Sequence, residues 1–366
     1  MFFAIIRINN KEKKMRIENV KSKMKIENLD GMLITDMKNI YYLTGFSGTA
    51  GTVFLTKTRN IFMTDSRYSE MAKSIISDFE IIETRDAISK LPELIKAEDL
   101  KTVGFEENVE YSFFNRLQGF LNEVELYATN NFLLELRQYK DENEIRKIRK
   151  AATIADEAFQ AVLKFIEPGR EEIEVANYLD FKMRELGASG VSFETIVASG
   201  KRSSLPHGVA SHKVIEFGDP VTIDFGCFYN HYASDMTRTI FVGKADSKMS
   251  EIYQTVKEAN HSLIEQAQKG LSFAQFDKIP RDVIEKAGYG QFFTHGIGHG
   301  LGLEVHEIPY FNQKMTNQFL EVGMVVTDEP GIYIPDFGGV RIEDDLLITE
   351  TGCEVLTNAP KELIVI

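Results

Sequence analysis

Between residues 140 and 169, apolar residues recur at Ile145, Ile148, Ala152, Ala155, Phe159, Val162 and Ile166, at alternating three- and four-residue intervals. That period lays them along one face of a helix. Asp141 and Glu144 have the spacing of a capping box, and Pro168-Gly169 stops the pattern. Upstream, shorter apolar runs predict strands at 31–35, 51–56, 60–64 and 80–84. Residues 65–77 read as a helix capped by Asp65 or Ser66. Residues 15–133 thus form one α/β domain. Residues 1–14 are expected to be a disordered extension or a first strand; amphipathic helical sequence begins at Met15, which could be the true start. The stretch YLTGFSGTAG (42–51) is the densest in turn formers, which marks a functional or interface loop. A second domain, residues 134–366, opens with the long helix and continues with helices and antiparallel hairpins rather than βαβ units.

Composition narrows the class of protein. Of 366 residues, 43% are hydrophobic and 27% charged, as in ordinary soluble proteins. A formal net charge of −13 argues against nucleic acid or an anionic membrane as the main partner and would suit cationic ligands. Two cysteines, Cys227 and Cys353, make no disulfide framework and read as reduced, buried thiols of a cytoplasmic protein. No apolar run approaches the roughly 18 residues of a membrane helix. The opening MFFAIIRINNKEKKM places its apolar cluster before its basic residues, the reverse of a signal peptide.

Candidate chemistry is densest in THGIGHGLGLEVHE (294–307), which holds His295, His299 and His306. His295 and His299 are four apart, the spacing of a zinc-protease helix, but that motif has Glu straight after its first His. Here glycines surround both histidines, and each costs a helix about 1 kcal/mol. The segment is therefore a loop or strand, and it matches no phosphate-binding glycine motif. Taken alone, it is also compatible with a glycine-rich connection whose histidines are merely polar.

Two hairpins supply possible partners. In VTIDFGCFYNHYASDMTRTIFVG (221–243), a turn at Tyr229-Asn230 would set Asp224 opposite Asp235, with Cβ atoms about 5 Å apart. In GMVVTDEPGIYIPDFGGVRIEDDLLIT (323–349), a connection centred on Asp336 sets Glu329 opposite Glu343. Apolar flanks bury this second hairpin, whereas Asp328, Asp344 and Asp345 read as flanking or solvated. Paired carboxylates in apolar surroundings repel, and divalent cations are the simplest compensation. The first pair could equally be two solvated carboxylates on an exposed hairpin. Two divalent ions would balance four carboxylates, with one histidine as a neutral fifth ligand.

The ordered set Asp224, Asp235, His299, Glu329 and Glu343 resembles the metal set of the pita-bread metallopeptidases, a family that includes methionine aminopeptidase, aminopeptidase P and prolidase. IDFG, YASDMTRT, HGIGHGLGLEVHE, DEPGIYIP and GVRIEDD carry the resemblance. LPHG, with His207 seventeen residues before Asp224, is similar to the proline-specific branch. YLTGFSGTAG and TDSRY resemble its creatinase-type N-terminal domain. The likeness runs from Met15 to the C-terminus. It implies a creatinase-like α/β domain followed by a pita-bread domain, an antiparallel sheet flanked by helices.

It also implies roles. Asp224 chelates one metal, Asp235 and Glu343 bridge both, and His299 and Glu329 bind the other. Glu329 shuttles protons, and His306 and His295 stabilise the oxyanion. His207 faces the substrate proline. Arg341 and Tyr333 support the site or touch substrate. SFETIVASG (192–200) resembles the strand that shapes the pocket. The cofactors expected are two divalent ions, Mn²⁺ first, with Co²⁺ or Zn²⁺ tolerated. Substrates are peptides with proline second, cleaved as by an Xaa-Pro aminopeptidase or dipeptidase, and the assembly expected is a homodimer. Departing from the pattern, His231 stands where many relatives have Gly and reads as an exposed turn residue. His212 and His261 match no motif. Methionine aminopeptidase is the nearest enzyme alternative, but it lacks an N-terminal domain of this kind. Creatinase works without metal and lacks the full ligand set, and a non-catalytic peptide-binding module would have lost ligands.

Overall fold

The computed structural model describes residues 10–366; residues 1–9, most of the expected extension, lie outside the described residues. The chain divides into two compact units, Met1–Arg137 and Gln138–Ile366. In the first, α1 (Asn10–Ile26), β1 (Gly31–Ile34), α2 (Met37–Thr44), β2 (Thr52–Thr56), β3 (Asn60–Thr64), α3 (Ser69–Ile75) and β4 (Glu80–Glu83) come in order. They are followed by α4 (Leu91–Glu98), β5 (Thr102–Glu106), α5 (Tyr111–Phe120), β6 (Glu125–Thr129) and α6 (Leu134–Arg137). The strands make one mixed sheet in the order β4-β3-β2-β1-β5-β6. Its apolar residues are buried on both faces, as in α/β proteins.

Three local expectations change in this unit. The first helix starts at Asn10, not Met15, because Lys11 to Lys14 are good helix formers with no Gly or Pro among them. Residues 42–44 belong to α2, so the turn-rich loop starts at Gly45, whose φ of 76° caps the helix. Asp65 does not cap α3. Its carboxylate accepts from the backbone N–H and the guanidinium of Arg67, and the helix begins only at Ser69.

The second unit opens with α7 (Glu142–Val162), where Asp141 and Glu144 form the expected capping box. It continues through α8 (Glu172–Glu185), β7 (Gly190–Val191), β8 (Ile196–Ser199), β9 (Pro220–Phe225), β10 (Cys227–Tyr229), β11 (Tyr232–Ala233) and β12 (Met236–Phe241). Then come α9 (Ser247–Gln266), α10 (Phe273–Lys286), β13 (His299–Gly300), β14 (Glu307–Tyr310) and β15 (Val325–Asp328). The chain ends with β16 (Gly331–Ile334), β17 (Gly338–Arg341), β18 (Asp344–Ile348) and β19 (Cys353–Val355). The ladders joining these strands are antiparallel.

Two apolar cores hold this sheet system. Under α7 and α8, Ile154, Phe159, Val175 and Leu179 pack with Ile223 and Phe225 of β9. Under α9 and α10, Ile252, Val256 and Phe276 pack with Val326, Ile342 and Leu346. The two cores meet where β12 passes β18, and the Glu343 N–H donates to Thr237 O there at 3.0 Å. Side chains at this seam have no water to solvate them, so every polar group needs a partner or an ion.

The first hairpin differs in register from its expectation. Its turn is Asn230-His231, both with positive φ (46° and 72°), as a two-residue hairpin loop demands. The register therefore shifts by one residue on each strand, and Asp224 pairs with Thr237, not Asp235. Asp235 lies in the break between β11 and β12, beside Gly226, where any Cβ would come within 1.9 Å of Ser234 O. The second hairpin keeps its predicted register. Asp328 pairs with Asp344 and Gly331 with Arg341, which brings Glu329 level with Glu343. Asp336 takes positive φ (60°) in the turn.

Candidate metal centre and substrate cleft

His299 sits on β13, paired with Tyr310 of β14, while Gly300 pairs with Val326 of β15. The glycines there are needed for close approach. A Cβ on Gly298 would come within 2.3 Å of Thr327 O, and one on Gly300 within 2.3 Å of Ile308 O. The histidine segment therefore lies flat between two strands, so it is neither a helix nor a slack connection.

His299 Nδ1 lies 3.1 Å from the Gly300 carbonyl, which assigns the proton to Nδ1 and leaves the Nε2 lone pair free. Nε2 is 3.6 Å from Asp235 Oδ2 and 3.8 Å from Glu329 Oε1. Those separations exceed a hydrogen bond and suit donors arranged around a shared gap. Ligand atoms of Asp235, His299 and Glu343 all lie within 4.8 Å of one another, and all three residues are buried. Asp224 and Glu329 face the same cleft, of about 510 Å³.

The electrostatics are those of several carboxylates buried close together. Burial pushes the Asp235 carboxyl well up, and repulsion from Glu343 and Asp224 adds to it. Burial and then Glu343 do the same to Glu329. Glu343 is pushed up to about 8 by burial and by Asp224. Asp224 is also raised by burial, though Arg341 opposes the rise through an ion pair of 2.5 Å. His299 is pushed down to about 4 by burial and by His306. It is thus a neutral imidazole, the form that binds metal.

The remaining predicted residues surround this set. His295 Nδ1 is 2.7 Å from Gly296 O, and its Nε2 is 2.9 Å from the Tyr333 hydroxyl. Burial, then Arg341, pushes His295 down to about 4. Arg341 Nη1 donates to Tyr333 Oη at 2.8 Å. Tyr333 itself is buried and does not line the cleft, and its hydroxyl bridges Arg341 and His295. His207 and His306 both line the cleft and are exposed. The His306 ring meets the His299 ring edge-on at 4.2 Å. From the segment 192–200, Phe193, Glu194 and Ile196 line the wall. His231 is exposed in its turn, and His212 and His261 are exposed beside Glu171 and Glu265.

Several supporting residues carried no readable signal. Asp328, Asp344 and Asp345, expected to be flanking or solvated, are fully buried. They are covered because the seam between the two cores closes over both faces of β15 and β18. Asp345 Oδ2 accepts the Asp235 N–H at 3.1 Å. Asp344 receives Arg238, Lys361, Thr357 and Asn260 at 2.8 to 3.0 Å, and against the upward push of burial the two cations hold its carboxyl well below the usual range. Thr237 donates to Glu343 Oε2 at 2.6 Å. Cys227 is the buried thiol expected, pushed up to about 12 by burial.

Comparison with known proteins follows this geometry. Residues 146–350 match the model of metallopeptidase family M24, and residues 16–139 that of the creatinase/prolidase N-terminal domain. The chain belongs to metallopeptidase family M24. An uncharacterised peptidase of Bacillus subtilis, YqhT, is 46% identical over 340 residues, 92% of this chain and 96% of that one. The Xaa-Pro dipeptidase of Pyrococcus horikoshii is 43% identical over 92% of this chain and 95% of its own. Among solved structures, the Xaa-Pro dipeptidase from Bacillus anthracis has a TM-score of 0.94 at 44% identity, over 97% of this chain and 100% of that one. The mixed α/β first unit and antiparallel second unit thus have the architecture expected from the resemblance.

The five side chains gathered at this cleft fit a hard divalent cation. They offer four carboxylates and one neutral imidazole, and Asp224 Oδ1 and Asp235 Oδ1 are buried without a hydrogen-bond partner. An unpartnered buried carboxylate oxygen is costly, and a cation in the shared gap removes the cost for several of them together.

Proposed function

We propose that this protein is a dinuclear metallo-exopeptidase that hydrolyses the bond between an N-terminal residue and a following proline. The observation that carries the reading is the buried convergence of Asp235, His299 and Glu343 within 4.8 Å, with Asp224 and Glu329 in the same cleft. Asp224 would serve one ion, His299 and Glu329 the other, and Asp235 and Glu343 both. Two bound cations would lower the pKa of a water molecule enough to make it a nucleophile at neutral pH. The donor set of oxygens plus one imidazole favours Mn²⁺, with Co²⁺ or Zn²⁺ able to substitute.

The chain's own groups divide the remaining work. Glu329, within 3.9 Å of His295 and 3.8 Å of His299, moves a proton from the nucleophile to the leaving secondary amine nitrogen of proline. His306 stabilises charge on the carbonyl oxygen, while His295, with its ring nitrogens bonded to Gly296 O and Tyr333 Oη, shapes the cleft wall beside it. Arg341 holds Asp224 and, through Tyr333, orients His295. Proline brings no amide hydrogen and a fixed ring, so its subsite needs shape rather than a hydrogen-bond acceptor. His207, Pro206, Val209 and Ile196 provide such a wall. The acidic cleft suits the free amino group at the other end of the scissile bond.

We also infer that the protein acts as a cytoplasmic homodimer. The family resemblance supports the dimer; for the location, no described helix is long and apolar enough to cross a membrane. The deciding assay offers Ala-Pro, Ala-Pro-Ala, Ala-Ala-Ala and Met-Ala-Ala to chelated protein restored with Mn²⁺. Cleavage only at Xaa-Pro, and only with a free amine, is expected. Preference for Met-Ala-Ala would move the chain to the methionine aminopeptidase branch. The ratio of Ala-Pro to Ala-Pro-Ala then separates dipeptidase from aminopeptidase action.

A further inference from the structure

Glu172 is the first residue of α8, is 0% exposed and does not line the cleft. Its carboxylate nevertheless collects donors from three points of one distant segment. Oε1 accepts the Ser199 N–H at 2.7 Å and the Ser199 hydroxyl at 2.8 Å. Oε2 accepts the Arg202 guanidinium, the Ser211 N–H at 3.2 Å and the Ser211 hydroxyl at 2.7 Å. The Arg202 guanidinium also reaches forward to Val209 O at 2.8 Å. Two backbone bonds fasten α8 to the far end of the same segment, Glu172 N–H to Lys213 O at 3.0 Å and Ile173 N–H to Ser211 O at 3.0 Å.

The segment so gathered, 199–211, is the one that presents Pro206, His207 and Val209 to the cleft. His207 has no side-chain hydrogen-bond partner among the described residues, so the course of its backbone determines where the imidazole stands. Near the middle of the segment two ties reach it from β17, Arg341 Nη1 to Pro206 O at 3.1 Å and the Gly339 N–H to Ser203 Oγ at 2.8 Å. One buried carboxylate binds both ends, beside the β8–β9 ladder at Ser199 and the backbone bonds at Ser211 and Lys213.

From this geometry we infer that Glu172 is a positioning residue for the substrate wall, closing the base of the 199–211 loop so that His207 is held at the proline subsite. The inference rests on the proposed Xaa-Pro reading of the cleft. A carboxylate suits the task because it is acceptor-only on both oxygens and every group aimed at it is a donor. Arg202 supplies the charge that makes its burial tolerable. A carboxamide of the same shape would turn an NH₂ against donors and leave them unpaired.

The test compares wild type with Glu172→Gln, both loaded with Mn²⁺. Amide exchange across 200–210 should quicken. KM for Ala-Pro should rise about tenfold, the scale of one lost charged hydrogen bond, with kcat within about twofold. Bound metal should be unchanged. Ser211→Ala, which removes one donor and endangers folding less, should shift exchange and KM the same way by a smaller factor. Unchanged exchange, unchanged KM, a loss confined to kcat, or loss of metal in a folded variant would each overturn the inference. If wild type cleaves no Xaa-Pro substrate, the proposed function fails on that result alone. The exchange arm then still decides whether Glu172 holds the loop.

Discussion

Thr237 Oγ1 donates to Glu343 Oε2 across 2.6 Å and accepts from Arg341 Nε at 2.9 Å. A hydroxyl between a guanidinium and a carboxylate fixes which face of Glu343 turns to the gap it shares with Asp235 and His299. Thr237→Val keeps the shape and removes both bonds. Partners of this kind typically contribute 10–100-fold in metal affinity. We expect a Mn²⁺ Kd weaker by about that factor, read by calorimetric titration of the chelated variant. Unchanged affinity would mean that Glu343 is oriented by backbone alone.

Metal removal should act on stability with a definite sign. Asp235, Glu329 and Glu343 repel one another in the bare site, so chelation lowers the melting temperature and Mn²⁺ restores it in a concentration-dependent way. Glu343→Ala removes one repelling carboxylate. The chelated variant should melt no lower than chelated wild type, yet gain little on adding Mn²⁺ and lose activity. A variant that still binds two ions with native affinity would remove Glu343 from the ligand set.

Legibility in the sequence tracked how local each determinant was. The second hairpin could be counted because its connection is symmetric about Asp336 and its register runs unbroken from β15–β18 to β16–β17. The first could not, because one choice of turn residue, Tyr229-Asn230 against Asn230-His231, moves every pair. Asp224 and Asp235 both face the cleft through a strand break at Gly226 that no alternation pattern displays. The buried acids Asp328, Asp344 and Asp345 look like surface residues in isolation. Their partners Arg238, Asn260 and Lys361 come from far along the chain, so only the folded seam reveals them.

His306 should separate from the metal ligands in its effect. Its ring touches that of His299 at 4.2 Å and lies at the exposed side of the cleft. Burial still pushes its pKa down, which keeps it neutral near pH 7. His306→Ala should keep both ions and the melting temperature while kcat falls by roughly 10²–10³, the usual cost of one oxyanion donor. Metal analysis of the purified variant provides the check. Loss of an ion would give His306 a ligand role instead.

In the first unit, Asp30 gives a pH dependence that needs no metal. Its carboxylate accepts Lys57 Nζ at 2.6 Å, the Lys101 N–H at 2.9 Å and the Thr102 N–H at 3.1 Å, tying the start of β1 to that of β5. Burial raises its pKa, but the Lys57 bond and the two backbone bonds outweigh that and lower it to about 2. The unfolded value is about 3.9. A folded pKa below the unfolded one means stability that is fully present above about pH 4 and is lost as pH falls toward 2. Asp30→Asn should therefore cost about 1–2 kcal/mol at pH 7. The gap between wild type and variant should close as melts are repeated from pH 4 downward. A gap that stays constant through that window would mean the Asp30 contribution is one of shape rather than charge.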